Sequence, residues 1–186
     1  MALPNDEVDL AHHDGQAAEA MLDELCDAYA DAYGVEPGEK VDAFRGRASK
    51  QFARPGFALV TARAVERLVG FAFGYVLQPD THWWTGLAPA PGEDFETETG
   101  ARTFVLSEIE VRRAWQGSGV GRRIHDALLG DRREERATLA TGPDAEAQAV
   151  YLGWGWQSVG RVPGADGDYY SAYDLFVLPL PTAGPR

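Results

Sequence analysis

Across residues 16–33, Ala18, Met21, Leu22, Leu25, Cys26, Tyr29, Ala32 and Tyr33 recur at steps of three and four. That period predicts one amphipathic helix, with Gly34 just past its end. A shorter helix is predicted over 41–52, closed by Pro55-Gly56. The period then changes. Residues 57–63 and 68–77 are dense in β-branched and aromatic side chains, which predicts strands. Residues 103–111 predict another strand, followed by a glycine-rich turn and a helix over 118–130 with Val120, Ile124, Ala127 and Leu128 on one face. A buried-type strand is expected at 136–141. A further helix is expected to open at Pro143-Asp144, with Asp144 as its N-cap, and to end at Gly155. Strands at 156–161 and 169–178 complete an α/β (α+β) pattern, and proline marks 179–186 as a tail. The chain shows no internal repeat, and one domain over 1–186 is expected, with its core at 16–178.

Residues 78–102 are long for a connection between strands. They carry Trp83-Trp84, several prolines and the acids Glu93, Asp94, Glu96 and Glu98. Such a stretch is either a lid or simply mobile; paired tryptophans are costly to leave in water, which favours a lid that closes over a substrate with Trp83 and Trp84.

Composition narrows the class. Hydrophobic residues make up 45% of 186, as in globular chains. No apolar run approaches the roughly 20 residues that span a bilayer, so no membrane partner is expected. Residues 1–10 hold three acids and no base, which does not fit a signal peptide. Cys26 is the only cysteine, so no internal disulfide can form. These features suggest a cytoplasmic protein. A net charge of −12 argues against nucleic acid as a partner. The charge is uneven, however: residues 112–136 sum to +3 and the remainder to −15. A basic island in an acidic chain suits a small anionic ligand, although clustering on a solvated helix would produce it too.

Gln116-Gly117-Ser118-Gly119-Val120-Gly121 lies between a predicted strand and a predicted helix. Glycines let backbone N–H groups approach a phosphate, and a helix start adds unpaired N–H groups and the positive dipole end. No Gly-Lys-Ser/Thr ends the turn, so it is not a P-loop, and no βαβ series surrounds it. A plain strand-to-helix turn would also place glycines here.

The stretch from Leu106 through Glu108, Ile109, Glu110 and Val111 to Arg112-Arg113-Ala114-Trp115, with the Gln116-x-x-Gly119-x-Gly121 turn, resembles the acetyl-CoA-binding motif of the GNAT superfamily of N-acetyltransferases. Tyr151-x-x-x-Gly155-Trp156 resembles that family's tyrosine-bearing helix. The resemblance implies a mixed, mostly antiparallel twisted sheet flanked by helices, and acetyl-CoA as co-substrate. It implies that the backbone of Ile109, Glu110 and Val111 holds the pantetheine arm. Gln116, Gly117, Ser118, Gly119, Val120, Gly121 and Arg122 would hold the diphosphate, and Tyr151 would face the thioester sulfur. Many members carry Asn where this chain has Asp144, so Asp144 is a weaker candidate contact.

The chemistry needs a neutral amine. Deprotonating an amine of pKa about 10.4 at pH 7 costs roughly 4–5 kcal/mol, and a carboxylate commonly takes that proton. Glu108 and Glu110 precede the motif, and strict alternation puts both on the face opposite Ile109 and Val111; the local bulge that the resemblance implies could re-aim one of them. Glu108 is the preferred base and a candidate substrate contact, because polyamine-type members carry an acid at the matching position. Solvent exposure of both glutamates is the plainer alternative. Tyr151 suits the acid for the thiolate, and packing alone would also explain it. His12, His13, His82 and His125 lack ligand spacing, so no metal is expected. The expected acceptor is a small cationic primary amine; a protein or peptide acceptor, a coenzyme-A-sensing module without catalysis, and a homodimer stay open.

Overall fold

A computed structural model describes residues 8–181. In chain order its elements are β1 (Val8–His13), α1 (Gly15–Ala20), α2 (Leu22–Tyr33), α3 (Glu39–Phe52), β2 (Ala58–Ala64), β3 (Arg67–Val76), β4 (Thr103–Val111), a 3-10 turn (Arg113–Trp115), α4 (Val120–Gly130), β5 (Arg136–Thr141), α5 (Ala147–Gly153), β6 (Gln157–Pro163) and β7 (Ala172–Pro179). The strand order is β1-β2-β3-β4-β5-β7-β6. Of the recorded registers only β4 with β5 is parallel, over Thr103–Val105; β1–β2, β2–β3, β5–β7 and β6–β7 are antiparallel. The contacts divide the chain into two compact units, 8–75 with 106–132 and 76–105 with 133–181.

In the first unit α1, α2 and α3 cover one face of the strands. Leu25, Phe44, Leu59, Phe71 and Phe73 are wholly buried there, and Phe44 stacks on Tyr29 with centroids 4.3 Å apart. Alternation turns Gly70 to the opposite face, against α4. A Cβ on Gly70 would lie 2.8 Å from Ile124 Cδ1 and 2.9 Å from the Glu110 carbonyl oxygen, so only glycine admits that approach. Two differences from the periodicity appear in this unit. The single helix expected over 16–33 breaks at Met21, and Asp14 caps its first part by accepting the Ala17 N–H at 2.9 Å. β1 was not anticipated: it buries only Val8 completely, and an edge strand needs little apolar signal.

The second unit packs Trp84, Leu87, Leu139, Trp156, Leu175 and Phe176 into a core. Residues 78–102, expected as a lid, are folded onto that core. The Trp84 indole N–H donates to Glu98 Oε1 at 2.9 Å, and Trp83 donates to Thr138 Oγ1 at 3.1 Å. Glu98 Oε1 also accepts from Thr103 at 2.8 Å and Arg136 at 3.1 Å, and the Arg136 guanidinium lies over both the Trp84 and Phe95 rings, at 4.8 and 4.3 Å. Ala88 exchanges backbone hydrogen bonds with Arg161 at 2.9 and 2.8 Å. A Cβ on Gly160 would stand 2.5 Å from the Ala88 carbonyl oxygen, so glycine is required there.

Candidate active site

β4 carries the candidate chemistry, and its geometry departs from simple alternation. Leu77 N–H donates to Thr103 O at 2.9 Å and Arg112 N–H donates to Val69 O at 2.8 Å. Between these two bonds β4 spans one residue more than β3, so β4 contains a bulge. Side chains agree. Ser107 Oγ donates to Gln51 at 2.6 Å, and Arg47, one turn earlier on α3, donates to Glu108 Oε1 at 3.3 Å. Two successive β4 residues therefore reach the same helix, which regular pleating forbids. After the bulge Glu108 and Glu110 share this face and lie within hydrogen-bonding reach of each other.

Three side chains that the sequence had assigned to packing or left unassigned complete the cluster. Tyr33, at the end of α2, donates its hydroxyl to Glu110 Oε1 at 3.0 Å, and the residue as a whole is 58% exposed. The Tyr29 ring packs 4.7 Å from that of Tyr33, and its hydroxyl accepts from Arg47. The i, i+4 spacing of the two tyrosines was legible as a helix face, but their polar ends could be placed only once α2 lay over β4. Burial raises the Glu108 carboxyl above the usual carboxylate range, and the Arg47 charge limits the rise. Burial, then the Glu108 charge, pushes Glu110 well above that range. The pair thus favours one shared proton, held on Glu110 and donated to Glu108. Burial, then the Glu110 charge, raises the Tyr33 phenol, which stays protonated as the donor.

Beyond β4 the turn is shaped by backbone. Gly117 and Gly119 take left-handed φ of 74° and 92°, and Gly119 is the N-cap of α4, which begins at Val120, two residues later than expected. Gln116 Nε2 donates to Val111 O at 2.9 Å and Ala32 O at 3.2 Å, and Ser118 Oγ donates to Trp115 O at 2.5 Å. Val120 is fully buried. These side chains hold the turn in shape. What they leave for a ligand is the first-turn N–H groups of α4, which no helix satisfies internally. Arg122 pairs with Asp126 at 2.8 Å and Arg123 donates to Val8 O at 2.8 Å.

Folding buries two arginines of the basic stretch, Arg112 and Arg136. Arg112 is buried, bonded to Leu68 O at 2.6 Å and paired with Asp27, while Arg136 lies in the core of the other unit. In that second unit the Tyr151 ring packs edge-on to Trp154 and Trp156 at 6.1 and 6.2 Å. Asp144 is not the N-cap. It is exposed at φ 59°, and α5 begins only at Ala147, after Glu146. Trp84 is 2% exposed with its N–H engaged, so it has no face for a substrate; Trp83 is half-buried. Among the described residues no group of three or more His, Cys, Asp or Glu side chains is placed to hold a metal ion. No described helix is long and apolar enough to cross a membrane.

A mostly antiparallel sheet flanked by helices, with a glycine turn opening a helix directly after a carboxylate-bearing strand, defines an acyltransferase-type fold. The match of residues 18–155 to the acetyltransferase (GNAT) family shows that the chain belongs to that family. No curated protein matches the sequence. Among solved structures it is similar to PH1933 from Pyrococcus horikoshii OT3, with TM-score 0.66 and 20% identity over 93% of this chain and 98% of that one. It is similar to the ribosomal-protein-S18-alanine N-acetyltransferase of Escherichia coli, with TM-score 0.61 and 18% identity over 96% and 97%. It is also similar to a GNAT family acetyltransferase from Elizabethkingia anophelis with acetyl-CoA bound, with TM-score 0.58 and 12% identity over 95% and 100%.

Proposed function

We propose that this protein transfers the acetyl group of acetyl-CoA to a primary amine by direct attack in a ternary complex. The observation that carries this is the Glu108–Glu110 pair on β4, Glu110 buried and Glu108 part-buried, followed within ten residues by a glycine turn in left-handed conformation. The N–H groups of 117–122 and the α4 dipole suit the diphosphate. The backbone of Ile109, Glu110 and Val111, beyond the part of β4 paired with β5, is proposed to hold pantetheine. The carboxyl pair removes a proton from the amine, its nitrogen bonds to the acetyl carbon, and the C–S bond breaks. Tyr151 gives a proton to the thiolate, and the second proton, which the nitrogen sheds on becoming an amide, restores the phenol; a phenol near pKa 10 and a thiol near 8.5 make the transfer to the thiolate close to balanced.

The acceptor is proposed to arrive as a small cation. With both carboxyls ionised, the form able to take up a proton, the pair beside one Arg47 carries a single negative charge, which an ammonium group would neutralise. Glu98 and Trp84, being engaged with each other, do not contribute to its recognition. The lone cysteine suits the reducing cytoplasm as the compartment. Mass spectrometry of the protein with acetyl-CoA and a mixed panel tests this, the panel holding polyamines, amino sugars and peptides with free N-termini. Acetylation of the small amines is expected; acetylation of the peptides alone would replace the acceptor class, and no acetylated product at all would refute the function.

A further inference from the structure

Glu110 is 8% exposed, so an amine in solvent cannot meet it directly. Tyr33 bridges that gap: the residue is 58% exposed and its hydroxyl is 3.0 Å from Glu110 Oε1. Beside Glu110 stands Glu108, whose side chain is 15% exposed, and Arg47 donates to Glu108 Oε1 at 3.3 Å. Tyr29 from α2 and Arg47 from α3 are the other titratable or charged side chains facing the pair, with Gln51 bonded to Ser107 one turn along α3. Phenol, carboxyl, carboxylate and guanidinium thus form one hydrogen-bonded chain that begins at an exposed tyrosine.

We infer that the Tyr33 hydroxyl is the group that touches the acceptor amine and relays its proton to Glu110, and that Arg47 is a positioning residue acting through Glu108. The inference rests on the acetyltransferase function proposed above and moves the proton acceptor from Glu108 to Glu110. The relay works before the C–N bond forms. An N–H bond of the ammonium breaks toward the Tyr33 oxygen as the phenol's own proton moves to Glu110 Oε1. The amine gains a lone pair, Glu110 becomes a carboxylic acid and the phenol is unchanged. The pair then holds one proton, the state that burial and mutual repulsion favour, and that proton returns to water by the same route. Glu108 stays ionised against Arg47 throughout.

Accepting the proton requires Glu110 ionised, so kcat/KM for the amine falls as pH drops through its pKa. Arg47 favours ionisation of both carboxyls. Arg47→Gln therefore moves this acid limb up by about one pH unit or more, whereas Arg47→Lys returns it toward the wild-type position. Tyr33→Phe keeps the ring packing and lowers kcat about 100-fold on the high-pH plateau, with KM for acetyl-CoA unchanged. Wild-type kcat in Tyr33→Phe, or an unmoved limb in Arg47→Gln, overturns the inference. Carboxyl-13C glutamate NMR titration of the unliganded protein decides the pair without turnover. Glu110 should titrate far above Glu108, and the gap should shrink in Glu108→Gln. Two independent, ordinary carboxyl titrations would overturn the relay even in an active enzyme. A wild type inactive on every amine would instead refute the enzymatic function, with the NMR result still reporting the pair.

Discussion

Replacing Gly119 by Asp places a carboxylate where α4 opens, at a backbone φ of 92°. Left-handed backbone costs an L-residue about 1–2 kcal/mol, less for Asp and Asn, whose short polar side chains bond locally. The Gly119 carbonyl accepts the Arg123 N–H at 3.1 Å, a bond the substitution leaves in place, so the fold should persist. Binding suffers more. Two unit charges about 4 Å apart at an effective dielectric of about 20 repel by about 4 kcal/mol, nearly a factor of 1000. Salt and rotation of the side chain away from the ligand reduce that, so coenzyme A affinity should fall about 100-fold. Gly119→Asn has the same shape and backbone strain without the charge, and should lose less than about 10-fold. Isothermal titration at low and high ionic strength separates the contributions, because the Asp–Asn gap should narrow with salt. Thermal melts confirm folding. Unchanged affinity in folded Gly119→Asp refutes the placement of the diphosphate on this turn, and equal losses in both variants would assign the effect to shape.

Tyr151→Phe should lower kcat about 100-fold while isothermal titration shows acetyl-CoA binding as in the wild type; an unchanged kcat would reduce Tyr151 to packing against Trp154 and Trp156. Glu110 is held above its unfolded pKa by burial and then by Glu108, so the stability it contributes is full below about pH 4.3 and is lost as pH rises through the folded value. Glu110→Gln should therefore melt above the wild type at pH 7–8 and level with it near pH 4; a gain that persisted at pH 4 would contradict this. Arg136→Leu leaves Glu98 buried without its cation, and Glu98 Oε2 has no partner even now. Breaking such a pair costs about 3–5 kcal/mol, so Tm should fall by about 10 °C or more, and an unchanged Tm in calorimetry would show the pair to be dispensable.

Several elements were readable from residue pattern because their signal is local. β5 was expected at 136–141 and lies there, and β2 and β3 fall within one residue of expectation. The α4 turn was legible because glycine is the residue that takes left-handed φ at Gly117 and Gly119 without strain. The misses have local causes as well. β1 buries one residue fully and leaves no alternating apolar run. Asp144 fits the N-cap preference, yet Asp also tolerates the left-handed backbone it adopts, and the helix begins beyond it.

Sequence by itself determined the family, through one strand–turn–helix stretch and a tyrosine-bearing helix, since backbone requirements for binding a diphosphate are written in consecutive residues. It also placed Glu108 and Glu110 on one face, because strand alternation is a local rule. Only tertiary structure decided what those carboxyls are. Their shared proton depends on Tyr33 from α2, Arg47 from α3 and a bulge in β4, contributions separated by up to 77 residues in the chain. The fate of charge was decided the same way. Arg112 and Arg136 count equally in a sequence window, yet packing buries each against different acids, because a buried ion finds its partner across the fold rather than along the chain.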